Sequence, residues 1–120
     1  MFNLNEGMRY LLYNRPTDMR KSFHTLGGIV RNAMGCDPTN GDVYIFVNKQ
    51  RNRIKLLHWE RGGMVLYSKL LEEGTFPIPK NASDADQLPM EWRELVLLVE
   101  GIVEKSECRH ARLEKLRGRR

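Results

Sequence analysis

The chain has little of what usually makes a function easy to assign. Its 120 residues include only two cysteines, Cys36 and Cys108, far apart and outside any paired motif. That excludes a disulfide-stapled scaffold and points to reduced thiols. The three histidines, His24, His58 and His110, are not set in the pattern of a nucleophile and its base. Cys108 and His110 offer two zinc-ligand types without a second pair. Asp18, Asp42 and Glu60 follow no carboxylate motif for metal-dependent phosphodiester chemistry. The expectation is therefore a protein with no catalytic residues, no metal and no cofactor. No run approaches the roughly 18 apolar residues that span a bilayer. The first residues, Met1 to Glu6, lack the basic start and apolar core of a signal peptide. Both absences argue for a cytoplasmic chain with no membrane partner.

What is present is a globular composition, 41% hydrophobic and 29% charged. The length suits one domain. The net charge of +5 is unevenly placed. Residues 1–104 hold 13 Lys/Arg and 13 Asp/Glu, so the whole excess lies in 105–120. Between Val43 and Lys69 the neutral part hides a second imbalance: six cations face one anion, Glu60. Two basic zones on a small chain suggest a polyanion partner. We expect a domain over 1–104 and a basic tail over 105–120, partly helical or frayed.

Periodicity predicts an α+β fold. Residues 8–13 read as a first strand, broken by Asn14-Arg15-Pro16. Apolar residues at Met19, Phe23, Leu26, Val30, Ala33 and Met34 recur at steps of three and four, which predicts one long helix over 19–34. Gly35 is placed to end it. The doublet Gly27-Gly28 suggests close approach to a strand, or a kink. Residues 43–47, 53–59 and 64–69 read as three strands joined by short polar tips, an antiparallel meander. Residues 74–79 look extended and close the β region, 80–87 resemble a linker, and Pro89 suits the first turn of a C-terminal helix. The expected architecture is an antiparallel meander sheet with the 19–34 helix on one face. The last helix would cover an edge or that same face.

The cations suggest where a polyanion would sit. Arg51, Arg53 and Lys55 share a face by the period of two, at about 7 Å spacing, close to successive phosphates along a nucleic-acid strand. Lys49 sits on the tip before them, and Arg61 on the next hairpin tip. Trp59 and Tyr67 are candidates for base stacking or for the core. Arg20 and Lys21 fall where the helix is expected to start, the wrong end for cations. They either pair with Asp18 or meet an external anion.

Four stretches carry a family likeness. Pro16-Thr17-Asp18-Met19-Arg20-Lys21-Ser22-Phe23 comes first. Asp37-Pro38 through Gly41 with Val43-Tyr44-Ile45-Phe46 follows. Then come Asn52 through Leu57 with Trp59, and Tyr67 through Gly74 with Phe76. In this order the chain resembles the bacterial insertion-sequence accessory proteins of the IS-sixty-six type, the TnpB or second-open-reading-frame family. This family is distinct from the RNA-guided nuclease that shares the TnpB name. Pro16, Thr17, Asp18, Met19, Phe23 and Trp59 are the signature positions that the resemblance picks out. The family often has glycine and aspartate at Ser22 and His24, aspartate at Asn52, and an Asp-Gly type turn at Glu60-Arg61. Acidic roles at those positions do not carry over.

The resemblance implies a protein encoded beside a transposase and needed for movement of the element. The expected function is thus a non-catalytic factor for DNA transposition. It would bind DNA, the transposase or both, with Arg20, Lys21, Lys49, Arg51, Arg53, Lys55 and Arg61 as the nucleic-acid contacts. The alternative is a protein-interaction module that binds the transposase or a second copy of itself, with no nucleic-acid contact. Asp18 with Arg20 suits a structural ion pair, which leaves Lys21 the better cation for a partner.

Overall fold

The computed structural model describes residues 4–78 and 85–100. The basic stretch 105–120, with Cys108 and His110, and the 80–84 part of the expected linker lie outside the described residues. The elements are β1 (Tyr10–Tyr13), α1 (Phe23–Asn32), β2 (Val43–Val47), β3 (Arg53–Glu60), β4 (Gly63–Leu70), β5 (Gln87–Met90) and α2 (Trp92–Glu100).

The strands form one five-stranded sheet in the order β4-β3-β2-β1-β5. The meander β2-β3-β4 forms as the alternation predicts, in unbroken antiparallel register. The sheet as a whole is mixed, however, and corrects the antiparallel expectation. β1 runs parallel to β2, with Tyr10 opposite Val43 and Leu12 opposite Ile45. The cause is α1, which carries the chain back so that both strands start at the same end. Hydrophobic periodicity holds no record of that direction.

The second correction is the far edge. Residues 74–78 form no strand. Phe76 instead plugs the core at 1% exposure, and its amide donates to the Arg51 carbonyl at 2.6 Å. The edge position goes to β5, antiparallel to β1. Pro89 therefore belongs to a strand and does not open a helix. Asn14 N–H donates to the Asp86 carbonyl at 2.8 Å, which makes 12/88 and 10/90 the hydrogen-bonded pairs. Pro89, opposite Leu11, then points its missing donor away from β1, where no bond is lost.

The third correction is the helix. α1 covers ten residues, 23–32, and does not reach back to 19. Asp18 Oδ1 accepts the backbone N–H of Arg20 at 2.9 Å, and Lys21 N–H donates to the Asp18 carbonyl at 3.1 Å. These local bonds make a turn that competes with a helix. The helix starts only after Ser22, whose N–H donates to Thr25 Oγ1 at 2.9 Å. Phe23, now at the first position of α1, is 42% exposed and leaves the apolar stripe to Leu26, Val30 and Met34. The helix also stops short of 34: Ala33 is its C-cap, and Gly35, at φ 65°, turns the chain two residues later and does not itself cap α1. A Cβ at Gly27 would meet the Arg31 guanidinium at 3.7 Å and the Pro38 ring at 3.9 Å, neither of them in a strand.

The alternating faces of the sheet feed two cores. Leu11, Tyr44, Phe46 and Leu57 pack against Leu26, Val30 and Met34 of α1. Tyr10, Leu12, Val43, Ile45, Ile54 and Leu56 pack against Leu95, Leu98 and Val99 of α2. The two helices thus cover opposite faces, which corrects the placement of the last helix on an edge or on the α1 face. A sheet buried on both sides explains why β2 is apolar at every position. Tyr44 reaches past its core, and its hydroxyl donates to the Asp37 carbonyl at 3.2 Å. Burial pushes that hydroxyl up to about 12. No helix among the described residues is long and apolar enough to cross a membrane.

Candidate nucleic-acid interface

Because β1 and β2 are parallel, the segments that follow them emerge at the same end of the sheet. These are residues 14–22 and 48–52. Between them lies an open cleft of about 380 Å³, lined by Pro16, Thr17, Asp18, Met19, Arg20, Asn48, Lys49, Gln50 and Arg53. The opening signature and the first meander tip, 30 residues apart in the chain, are thus its two walls.

The first wall is fastened to the sheet. Thr17 is buried, and its N–H donates to the Val47 carbonyl at 2.9 Å, just where β2 ends. Lys55 projects from β3 on the α1 face and donates to the carbonyls of Met19, at 2.7 Å, and Lys21, at 2.8 Å. Asp18 grips Arg20 through both carboxylate oxygens, with Nη2 to Oδ2 at 2.7 Å and Nε to Oδ1 at 3.1 Å. That guanidinium holds the Asp18 carboxyl well below the usual carboxylate range. The Arg20 side chain nevertheless remains 92% exposed. It forms an ion pair and also faces water.

The second wall holds itself. Asn48 Oδ1 accepts the backbone N–H groups of Asn52, at 3.1 Å, and Arg53, at 3.0 Å. Its Nδ2 donates to Asn52 Oδ1 at 2.7 Å. Arg51 sits at φ 59°, a left-handed conformation that turns the tip back into β3. Lys49, Arg51 and Arg53 are all exposed, and no carboxylate pairs with any of them among the described residues.

The sequence-derived cations separate into groups. Arg20, Lys49 and Arg53 line the cleft. Arg51 lines a neighbouring hollow of about 300 Å³ with Arg15 and Lys49. Arg51 lies in the turn before β3, so a regular ladder of Arg51, Arg53 and Lys55 does not form. Lys55 shares Arg53's face but directs its amine to carbonyls. Lys21 is half-buried beside it. Arg61 occupies the β3–β4 hairpin tip, about 25 Å from Arg53 along the strand. Lys69 donates to the Val99 carbonyl of α2 at 2.8 Å. Trp59 is half-buried, and Tyr67 packs against the α2-side core.

Two contributors escaped the sequence reading. Asn48 is the hub of the second wall; its signal was an asparagine directly after a strand and four residues before another asparagine. Arg15 enters the neighbouring hollow with its guanidinium on Asp86 at 2.7 Å, a partner 71 residues away that no local pattern reveals. No group of three or more His, Cys, Asp or Glu side chains that could hold a metal ion occurs among the described residues.

The fold and the site define a small α+β protein with an open, cation-lined cleft and two helix-covered sheet faces. Residues 8–109 match the family model described as IS66 Orf2 like protein, so the chain belongs to that family of insertion-sequence accessory proteins. Two relatives from Sinorhizobium fredii (strain NBRC 101917 / NGR234) show how far it diverges. "Uncharacterized protein y4jC" is 33% identical over 102 residues, covering 85% of this chain and 86% of the relative. "Uncharacterized protein y4hO" is 24% identical over 102 residues, covering 85% and 87%. No solved structure matches the chain.

Proposed function

We propose that the chain is a non-catalytic accessory factor for DNA transposition that binds DNA through the cleft between residues 16–20 and 48–53. The observation that carries this reading is the meeting of Arg20, Lys49 and Arg53 around one open cleft, with Arg51 beside it. Phosphates are bound where cations converge in excess of acids. Among the described residues Asp18 is the only acid lining this cleft, and its charge is met by Arg20, so Lys49 and Arg53 carry the excess. The transposase of the same element is the protein partner we propose for it.

The test is anisotropy of labelled element-end DNA, titrated at several salt concentrations. Neutralising about three phosphates gives a slope of log affinity against log salt near −3. Combined Lys49→Ala, Arg51→Ala and Arg53→Ala removes most of that slope. Arg61→Ala, remote from the cleft, leaves it unchanged. Tight binding that survives the triple substitution rejects the site. A stable complex with the transposase and no DNA affinity favours a purely protein-binding module.

A further inference from the structure

The two edges of the sheet are treated differently. β5 is four residues long and carries Pro89, and such short, proline-bearing edges resist pairing. β4 is eight residues long, has no proline, and keeps an unbroken register with β3 from Arg53–Leu70 to Glu60–Gly63. Its one charged side chain, Lys69, is drawn inward to the Val99 carbonyl and does not guard the edge. Among the described residues nothing pairs with the outer side of β4. Leu70, at its end, is 55% exposed.

The ladder fixes which groups face outward. Leu71 N–H donates to the Asn52 carbonyl at 2.8 Å, and 52/71 continues the β3–β4 register. The hydrogen-bonded pairs are then 54/69, 56/67, 58/65 and 60/63, because bonded and unbonded pairs alternate. Met64, Leu66, Ser68 and Leu70 therefore turn their N–H and C=O groups outward. We propose that β4 pairs antiparallel with β4 of a second copy, about a two-fold axis through Tyr67, joining the two sheets.

This register engages all four outward residues. Met64 meets Leu70 of the second copy, Leu66 meets Ser68, and Tyr67 meets Tyr67. The exposed Leu70 is then covered on the α1 face, the face that Met64 and Leu66 also line. A shift of two residues toward the hairpin would instead pair Leu70 with the turn residue Gly62. Continued past the strand ends, the chosen register sets the Arg61 tip of one copy beside the Glu72-Glu73 corner of the other, twice by symmetry. Arg61 and Glu72 are both exposed. The contact is self-complementary in hydrogen bonds, apolar side chains and charge, as a two-fold interface requires. It needs neither DNA nor the residues that line the cleft.

The experiment uses the full chain. Sedimentation equilibrium should show a dimer, and Ser68→Pro should weaken it by roughly thirty-fold through two lost symmetric bonds. The proline leaves the β3–β4 ladder intact because the Ser68 N–H faces outward. Arg61→Glu should weaken the dimer, and adding Glu72→Arg with Glu73→Arg should restore it, a rescue that a folding defect would not give. Register is read with Cys36→Ser and Cys108→Ser in place. Tyr67→Cys should then crosslink to its own copy, since facing residues of an unbonded pair lie about 4.5 Å apart. Val65→Cys, offset from its own copy by four residues, should not. A monomer at all concentrations overturns the proposal. So does a dimer indifferent to Ser68→Pro, or one that crosslinks at 65 and not at 67.

Discussion

The two walls of the cleft are built by opposite means. Residues 16–21 are fastened from outside, by a lysine on β3 and by the end of β2. Residues 48–53 are fastened from within, by one asparagine side chain that satisfies two backbone donors. The consequence is chemical. In the first wall a cation is consumed in holding the backbone, and another is shared with Asp18. In the second wall structure is left to a neutral amide, so its cations stay available. A count of basic residues cannot see this division, because Lys55 and Arg53 sit two positions apart on the same strand face with opposite roles.

The sharpest way to break the comparison is Lys55→Met. It keeps the stem and removes two charge-assisted bonds to carbonyls 19 and 21. We expect a loss of about 2–3 kcal/mol in urea unfolding. DNA affinity should fall as well, because Arg20 loses its anchored backbone. If stability holds and only affinity falls, Lys55 belongs with the ligand contacts and the division fails.

Next comes Asn48→Ala. The amides of Asn52 and Arg53 lose their acceptor, and the expected destabilisation is about 1–2 kcal/mol. Asn48→Asp keeps the acceptor oxygen and should recover most of it in the same unfolding curves. Equal losses for the two variants would show that the hub works by packing alone.

The smallest effect on stability is that of Asp18→Asn. The Asp18 carboxyl ionises at lower pH when folded, so the pair with Arg20 stabilises the fold above the unfolded carboxyl's value of about 3.9. That contribution is lost as pH falls from there toward the folded value. The gap between wild type and Asp18→Asn should therefore be constant from pH 7 to about pH 5 and close in stronger acid. Both groups are exposed, so the gap is small. At pH 7 the same variant should bind DNA about two- to five-fold tighter, because Arg20 is released and a negative charge leaves the cleft. Weaker binding would mean that the pair orients Arg20 toward its ligand.

The sequence made some of this legible and hid the rest for definite reasons. The meander strands were readable because alternation and turn residues are local signals. The parallel pairing of β1 with β2 was not, since periodicity carries no direction. Residues 18–21 mimic a helix start, with a capping acid and a methionine in phase, yet the Asp18 side chain closes a turn there first. β5 was concealed because Pro89 suits a helix start as well as it suits an edge strand. Arg20, Lys49 and Arg53 at the cleft, and Arg51 in the hollow beside it, could be named from charge alone. The role of Lys55 could not, because its acceptors lie 34 and 36 residues away.

Pro89 has one more consequence. A sheet that can be extended from either side is a seed for endless stacking. If two copies join along β4 as proposed, both outermost described strands are β5, and each carries at Pro89 a ring with no donor on its outer side. The joined sheet would then hold ten described strands with a donor-poor edge on either side.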